Sequence, residues 1–345
     1  NGFGFETYVK NDPSTELDYS QVQTTKYNWG SGQSNTYSNN NHCTVSKNGT
    51  VVVRQSNYQN GGAYLISKIL VNNIWTNIAN LRPSTDNNSY QSNMCINLSD
   101  DGTLLAVKVD LGGEYLYIYN LRLYNGTYDW QQVDYESDVG VIETRAGSKG
   151  GLAVTSNMEY IVSTDGDPGQ QNDNRIKIYK LEQTGTDINI QYVTGKIIVS
   201  YPQSECGGVA ITKTEIIPDK YLIAYTTIYA SAAYLHISEF DSSSNSITKT
   251  WLLNTGLYNS SQGNSPNGNP YIFGTSVKIG INNDELIVVT NYNDGGSSSP
   301  NGQIFTYVYS QNTYIDNTGT WSKNQLTISG STCLELTEDG NELFS

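Results

Sequence analysis

The residues best suited to chemistry are amides, carboxylates and tyrosines in the polar segments between apolar stretches. They are Tyr58, Asn60, Asp110, Glu114, Tyr229, Tyr292 and Asp294. Flat aromatic faces stack on sugar rings and short polar groups hydrogen-bond hydroxyls, so this set is typical of a carbohydrate-binding surface. A simpler interpretation also stands, because turn geometry selects Asn and Gly in the loops of any β-protein.

A cation site is the second candidate, at Asp165, Asp167 and Asp173. Calcium takes several oxygen ligands, which these carboxylates could supply. The segment 164–168 is not followed by the bidentate Glu of a helix–loop–helix calcium loop. We expect that no cofactor is required, and calcium is the candidate ligand of this segment.

Catalytic patterns are weak in this sequence. His236 stands between Leu235 and Ile237 and is predicted to be packed rather than catalytic, and His42 lies in no nucleophile motif. A sialidase-like site would need clustered arginines, but the five are scattered: Arg54, Arg82, Arg122, Arg145 and Arg175. A glycosidase needs only two carboxylates, and no pair stands out. These observations predict that the protein is not an enzyme.

Composition limits the class of partner. The chain has 345 residues and a formal net charge of −14, which disfavours nucleic acid and anionic membranes. No apolar run approaches the roughly 18 residues of a membrane span, so we expect no membrane insertion. The first residue is Asn1 rather than Met, and we take the chain to be a mature product or a fragment. Few Lys and many Tyr favour an extracellular location or the surface of a particle.

The cysteines and sequons add two expectations. Cys43, Cys95, Cys206 and Cys333 are widely spaced, with no C-x-x-C motif, and we expect mostly free, buried thiols. Five N-x-S/T sequons are candidate glycosylation sites, at Asn48, Asn87, Asn97, Asn125 and Asn259.

Internal repeats are the main signal for the fold. Segments rich in β-branched and aromatic residues alternate with turns, and the first turn of each repeat recurs at roughly 53 to 70 residues. Four strands in a period of this length predict the blades of a β-propeller. The expected fold is a single all-β, six-bladed propeller over 1–345, with four antiparallel strands per blade. The blades are placed at 43–80, 94–135, 151–195, 207–254, 273–325 and 333–345 together with 1–30.

The last of these blades is composite. The segment 336–345 has the pattern of a first strand, its turn and the start of a second strand, whereas 1–9 has the pattern of a third. Pairing the two ends of the chain would close the ring and remove free sheet edges.

Tryptophans end most repeats, at Trp29, Trp75, Trp130, Trp251 and Trp321, with Tyr192 in the remaining one. A large flat side chain on an outer strand suits the gap between packed blades, so we expect these tryptophans in the core.

One repeat resembles a known family. The segments 273–277, 284–289 and 302–309, followed by Trp321, are similar to FG-GAP repeats of the variety that ends in a Trp strand. Such repeats build the propeller heads of integrin α subunits. The resemblance implies extracellular recognition or assembly without catalysis. The turns at 46–49 and 99–102 are shorter and poorer in carboxylates than that family's calcium loop.

Two functions from different classes follow. The first is an extracellular or surface-displayed recognition module that binds a glycan or protein partner through its loop face. The alternative is a structural building block of a virus particle, sheath or filament, which would self-assemble through polar interfaces depleted in Lys.

Overall fold

The computed structural model describes residues 4–12, 16–26, 43–58, 62–83, 94–110, 114–133, 151–165, 175–184, 187–197, 205–214, 219–229, 232–254, 272–282, 285–293, 301–310, 321–329, 335–336 and 342–344. All secondary structure in these ranges is β. The described residues contain no apolar helix of the length needed to cross a membrane.

The strands follow one another in groups of four. The chain begins with β1 (Gly4–Asp12) and β2 (Glu16–Lys26). Sheet 1 contains β3 (Cys43–Val45), β4 (Val51–Tyr58), β5 (Gly62–Val71) and β6 (Ile74–Leu81). Sheet 2 contains β7 (Met94–Leu98), β8 (Leu104–Asp110), β9 (Glu114–Tyr124) and β10 (Thr127–Gln132).

The same order continues along the chain. Sheet 3 contains β11 (Leu152–Val154), β12 (Tyr160–Asp165), β13 (Arg175–Thr184) and β14 (Asp187–Ile197). Sheet 4 contains β15 (Glu205–Lys213), β16 (Lys220–Tyr229), β17 (Ala232–Asp241) and β18 (Ser246–Asn254). Sheet 5 contains β19 (Ile272–Asn282), β20 (Glu285–Asn293), β21 (Asn301–Ser310) and β22 (Trp321–Ser329). The last strands are β23 (Glu335–Leu336) and β24 (Glu342–Phe344).

Each sheet is antiparallel and its strands lie in chain order, which confirms the expected all-β fold of repeated four-stranded units. Strands from the two ends of the chain form one further sheet, in the order β2-β1-β24-β23, called the terminal sheet below. In that sheet Thr7 pairs with Phe344 and Tyr8 pairs with Leu343.

The hydrophobic cores lie between neighbouring sheets. Strand β8 shows why: Leu105, Val107 and Val109 join a core shared with sheet 1, whereas Leu104 and Ala106 join a core shared with sheet 3. Successive side chains of a strand point to opposite faces, so a strand that is apolar at every position is buried on both faces. Similar cores join sheet 3 to sheet 4 and sheet 4 to sheet 5.

Polar contacts also join the sheets. Trp130 is 4% exposed, and its indole N–H donates to Ser67 Oγ of sheet 1 at 3.0 Å. This confirms the expected core position for Trp130, while Trp75 is half-buried. Trp29, and the side chains of Trp251 and Trp321, lie outside the described part of the structure. Lys108 Nζ of sheet 2 donates to the Thr164 carbonyl of sheet 3 at 2.8 Å.

Gly102 marks a close approach between sheets 1 and 2. Its φ is +73°, and a Cβ built there would lie 2.7 Å from Val51 Cγ2 and 3.1 Å from Ser46 Cβ. Gly49 occupies the equivalent turn of sheet 1 with a φ of +68°, but no atom lies within 4 Å of its Cβ position. The two glycines share the backbone conformation and differ in packing.

Gly102→Ala should therefore destabilise the protein more than Gly49→Ala does. Both variants carry the cost of a left-handed alanine, about 1–2 kcal/mol. Only Gly102→Ala adds overpacking between sheets, about 1–3 kcal/mol. Urea unfolding of the two variants measures the difference, and equal losses of unfolding free energy would contradict the close sheet contact.

Candidate functional site

In sheets 1, 2 and 3, the turn between the first and second strands has the same pattern of hydrogen bonds. In sheet 2, Ser99 Oγ donates to Asp101 Oδ1 at 2.7 Å, and the Thr103 N–H donates to the same oxygen at 3.0 Å. The Leu104 N–H donates in turn to Ser99 Oγ at 2.9 Å. Ser and Asp side chains favour such turns because they bond nearby backbone groups.

The same bonds recur in the other two turns. In sheet 1 the acceptor is Asn48, which receives Ser46 Oγ at 2.7 Å and the Thr50 N–H at 3.0 Å. In sheet 3 the acceptor is Asn157, which receives the Glu159 N–H at 3.0 Å. Each turn is therefore stabilised by hydrogen bonds among the residues of its own Ser/Thr-x-Asn/Asp pattern.

Burial alone would raise the pKa of Asp101, but hydrogen bonds from Thr103 and Ser99 outweigh it and hold the pKa below its ordinary value. This carboxylate is thus kept ionised by its own turn. Its role in the structure is to cap the turn.

Neighbouring turns contact one another across the sheets. The Asp100 N–H donates to the Ser156 carbonyl at 2.8 Å, and the Asn48 N–H donates to the Asp100 carbonyl at 3.4 Å. Lys47 Nζ lies 3.5 Å from Asp100 Oδ2. These bonds fix the three turns side by side.

A cavity of about 400 Å³ opens beside these turns, called the central cavity below. The first strand of each sheet contributes to its wall: Thr44, Asn97, Ala153, Ile211, Ile279 and Leu336. Each of these strands is an edge strand, paired on one side within its sheet. The cavity therefore lies where the inner edges of all six described sheets meet, and its size falls in the range of small-molecule sites.

The wall of the central cavity carries charges as well as apolar surface. Lys47, Lys213 and Lys278 line it together with Asp100 and Glu159. Three lysines at one cavity contrast with the net charge of −14 for the whole chain. The wall thus offers both donors and acceptors for a polar ligand.

Tyr221 also lines this cavity, and it is 4% exposed. Burial, with a smaller contribution from the negative charge of Glu159, raises the pKa of Tyr221 to about 12. Lys213 Nζ lies 6.0 Å from the centre of the Tyr221 ring, at the limit of a cation–π contact. Tyr221 is therefore a neutral phenol at physiological pH.

The residues predicted to bind a ligand lie at the other ends of the strands. Tyr58 ends β4, Asp110 ends β8 and Tyr229 ends β16, at the connections between second and third strands. Glu114 begins β9 and pairs with Asp110, and Tyr292 pairs with Gln303. Their side chains, and all of Asn60 and Asp294, lie outside the described residues, so the loop-face site stays a prediction.

The predicted cation site is described only at its first residue. Asp165 ends β12, whereas Asp167 and Asp173 lie outside the described ranges. Within those ranges no group of three His, Cys, Asp or Glu side chains is placed to hold a metal ion. Calcium binding at 165–173 stays a prediction.

His236 is 6% exposed, and its Nε2 lies 2.8 Å from Thr227 Oγ1. Its ring stacks on Tyr225 with centroids 4.7 Å apart and an interplanar angle of 5°. Cys95 takes part in no disulfide and is half-buried, where a buried thiol was expected. Neither residue lines the central cavity.

The central cavity was not predicted from the sequence. Its wall consists of first-strand residues and turn residues that the repeat had marked only as turns. A usable signal was present, because the first strand of every sheet must lie at one edge once the blade order is known. Lysines in those first strands, such as Lys213 and Lys278, were therefore the candidates for polar residues at a central site.

No protein-family model matches the chain, and no curated protein matches it. Solved structures do match. AofleA from Arthrobotrys oligospora has a TM-score of 0.51 at 8% identity, covering 88% of this chain and 77% of AofleA. A protein assigned as 6-phosphogluconolactonase from Bacteroides uniformis has a TM-score of 0.49 at 11% identity, covering 99% of this chain and 88% of that protein. A protein assigned as TolB from Agrobacterium tumefaciens has a TM-score of 0.45 at 10% identity, covering 99% and 96%.

At these identities the likeness concerns the fold alone. Of these three structures, AofleA is the one with a TM-score above 0.5, so the comparison of folds rests on it. The class that fold and cavity define is the β-propeller: four-stranded antiparallel sheets packed face to face, with first strands meeting at a shared cavity.

Tyr221→Phe tests whether Tyr221 is shielded from water at the cavity, through the pH dependence of the unfolding free energy. A phenol with a folded pKa of about 12 and an unfolded pKa of about 10 stabilises the fold below pH 10 and loses that contribution as the pH rises to 12. The variant should therefore lose less stability than the parent between pH 10 and 12. Urea unfolding at both pH values measures this, and parallel losses would show that Tyr221 is not shielded.

Proposed function

We propose that this protein is an extracellular, non-catalytic propeller of six blades that recognises a glycan or protein partner. The observation that carries the proposal is the central cavity, where six sheets supply donors, acceptors and apolar surface to one site of about 400 Å³. Binding sites of this kind combine an apolar wall with a few placed polar groups.

Six blades are supported by the sheets and by the cavity wall. Sheets 1 to 5 and the terminal sheet are each four-stranded, and each places its first strand at the cavity. The terminal sheet joins the two ends of the chain through β1 and β24, which is how a ring of sheets closes without a free edge.

A relationship to FG-GAP repeats is part of the proposal. The segment 273–277 lies in β19, where the pairing register shifts between Phe273 and Val277. Strand β15 also shifts register, between Cys206 and Val209, but by one residue where β19 shifts by two. A register shift near the start of both first strands supports a common repeat, because β-bulges are conserved within families.

A small sugar is the ligand class that the cavity suits best. Hydroxyl groups need both donors and acceptors, and the amide of Asn97, the phenol of Tyr221 and the ammonium of Lys213 supply them in one wall. The apolar residues between them, such as Ile211 and Ile279, suit the C–H faces of a sugar ring.

The experiment is a glycan array followed by calorimetry on the best ligand. Lys213→Ala should weaken binding about 10- to 100-fold, because it removes a hydrogen bond between the ligand and a charged group. Lys249→Ala, on the exposed outer strand β18, is the matched control and should bind as the parent does.

Two loop-face variants, Tyr58→Ala and Tyr292→Ala, separate the two candidate faces. If they abolish binding while Lys213→Ala does not, the loop face is the site and the central cavity is not. If no glycan or protein ligand is found and native mass spectrometry shows open-ended assembly instead of a 38.0 kDa monomer, the recognition proposal fails in favour of a structural building block.

A further inference from the structure

The three sequons that the structure describes differ sharply in their surroundings. Asn97 lies between sheets 2 and 3, and its Nδ2 donates to the Leu152 carbonyl at 2.5 Å. A glycan on that nitrogen would replace one amide hydrogen at this close inter-sheet contact and meet the wall of the central cavity, to which Asn97 belongs.

Asn48 is held by its own turn. Its Oδ1 accepts hydrogen bonds from Ser46 Oγ, the Thr50 N–H and Thr50 Oγ1 at 2.7, 3.0 and 2.7 Å. The hydroxyl of the sequon threonine is thus used inside the turn. Asn48 Nδ2, the nitrogen that would carry a glycan, donates to the Asp101 carbonyl of the neighbouring turn at 3.5 Å, so a glycan there would crowd the contact between the two turns.

Asn125 is different, because it occupies the tip of an exposed hairpin. Asn125 and Gly126 have φ values of 49° and 78°, and Tyr124 pairs with Thr127 across the two-residue loop. Positive φ at both central residues is the type I′ hairpin turn. Asn125, Gly126 and Thr127 are all exposed.

A large aromatic side chain stands beside this sequon. Tyr124 is 66% exposed and Leu123 is 61% exposed. Cross-strand partners share one face of a hairpin, so the ring of Tyr124 lies next to the sequon threonine, one residue from the acceptor asparagine. An aromatic face at that position can pack against the C–H face of the first sugar.

We propose that Asn125 is an N-glycosylation site and that Tyr124 is the surface on which its first sugar packs. This rests on the extracellular location proposed above. The donor is a lipid-diphosphate-linked oligosaccharide: Asn125 Nδ2 forms a bond to the anomeric carbon, the bond from that carbon to the diphosphate oxygen breaks, and the lipid diphosphate leaves with the electron pair. One amide proton passes to a base of the transferring enzyme.

The site is tested by expressing the chain with a secretion leader in a eukaryotic host. Peptide mapping by mass spectrometry of the secreted and the cell-retained protein then gives the occupancy of each sequon. We expect Asn125 to be occupied in most secreted molecules and Asn97 to be unmodified in them. Asn125 unmodified in both fractions, or Asn97 modified in the folded secreted protein, would overturn the assignment.

The packing on Tyr124 is tested by a double-mutant cycle with Asn125→Gln. The glycan should raise the melting temperature by about 1–3 °C when residue 124 is Tyr or, in Tyr124→Phe, another aromatic. In Tyr124→Ala that rise should disappear. A rise of the same size in Tyr124→Ala would show that the ring is not the surface.

The hairpin between β5 and β6 supplies a matched control. Its two-residue turn, Asn72 and Asn73, also has positive φ values, and Val71 pairs with Ile74. Ile74→Thr completes a sequon at Asn72 with Val71 at the position that Tyr124 holds before Asn125, so a glycan there should give no rise in melting temperature. If Asn125 carries a glycan but no ligand binds the protein, the glycosylation proposal stands and the recognition proposal fails. If a ligand binds but Asn125 is unmodified, only the glycosylation proposal fails.

Discussion

The burial of both faces of sheets 1 to 5 is the constraint on which the rest of this structure depends. A strand such as β8 carries Leu105 and Val107 on one face and Leu104 and Ala106 on the other, so neither face can remain in water. Each of these five sheets must then lie between two neighbours. Sheets related in this way place their first strands together, and the central cavity is the space that those strands enclose.

The same constraint explains the inter-sheet details. Gly102 is required where a turn approaches Val51 of the neighbouring sheet, and Trp130 fills the gap beside Ser67 while its indole N–H remains hydrogen-bonded. Buried polar groups that keep partners cost little, and they favour one arrangement of the sheets over others. The proposed recognition site and the proposed modification site lie in different parts of the molecule, with the cavity near the inner strands and Asn125 at the tip of an outer hairpin.

Much of the fold was predictable from the sequence because the signals are local. Turns such as 46–50 and 99–103 follow from Ser, Asn, Asp and Gly, and the strands follow from β-branched and aromatic runs. The candidate site was less predictable, since Lys213, Lys278 and Asn97 come from three different sheets and meet only when the sheets assemble. Nor could a sequon motif alone separate Asn97 from Asn125, because that difference depends on the Leu152 carbonyl of another sheet.

The central claim is that a ring of sheets closes around the cavity through pairing of the two chain ends, and disulfide trapping tests it most directly. Tyr8 and Leu343 pair across β1 and β24. Antiparallel partners lie about 4.5–5.5 Å apart at Cα, within disulfide range. The double variant Tyr8→Cys and Leu343→Cys should form that bond under mild oxidation, identified by peptide mapping, far more than Tyr8→Cys with Leu336→Cys. Absence of the bond in the folded protein, or equal yields from the two pairs, would contradict closure of the ring.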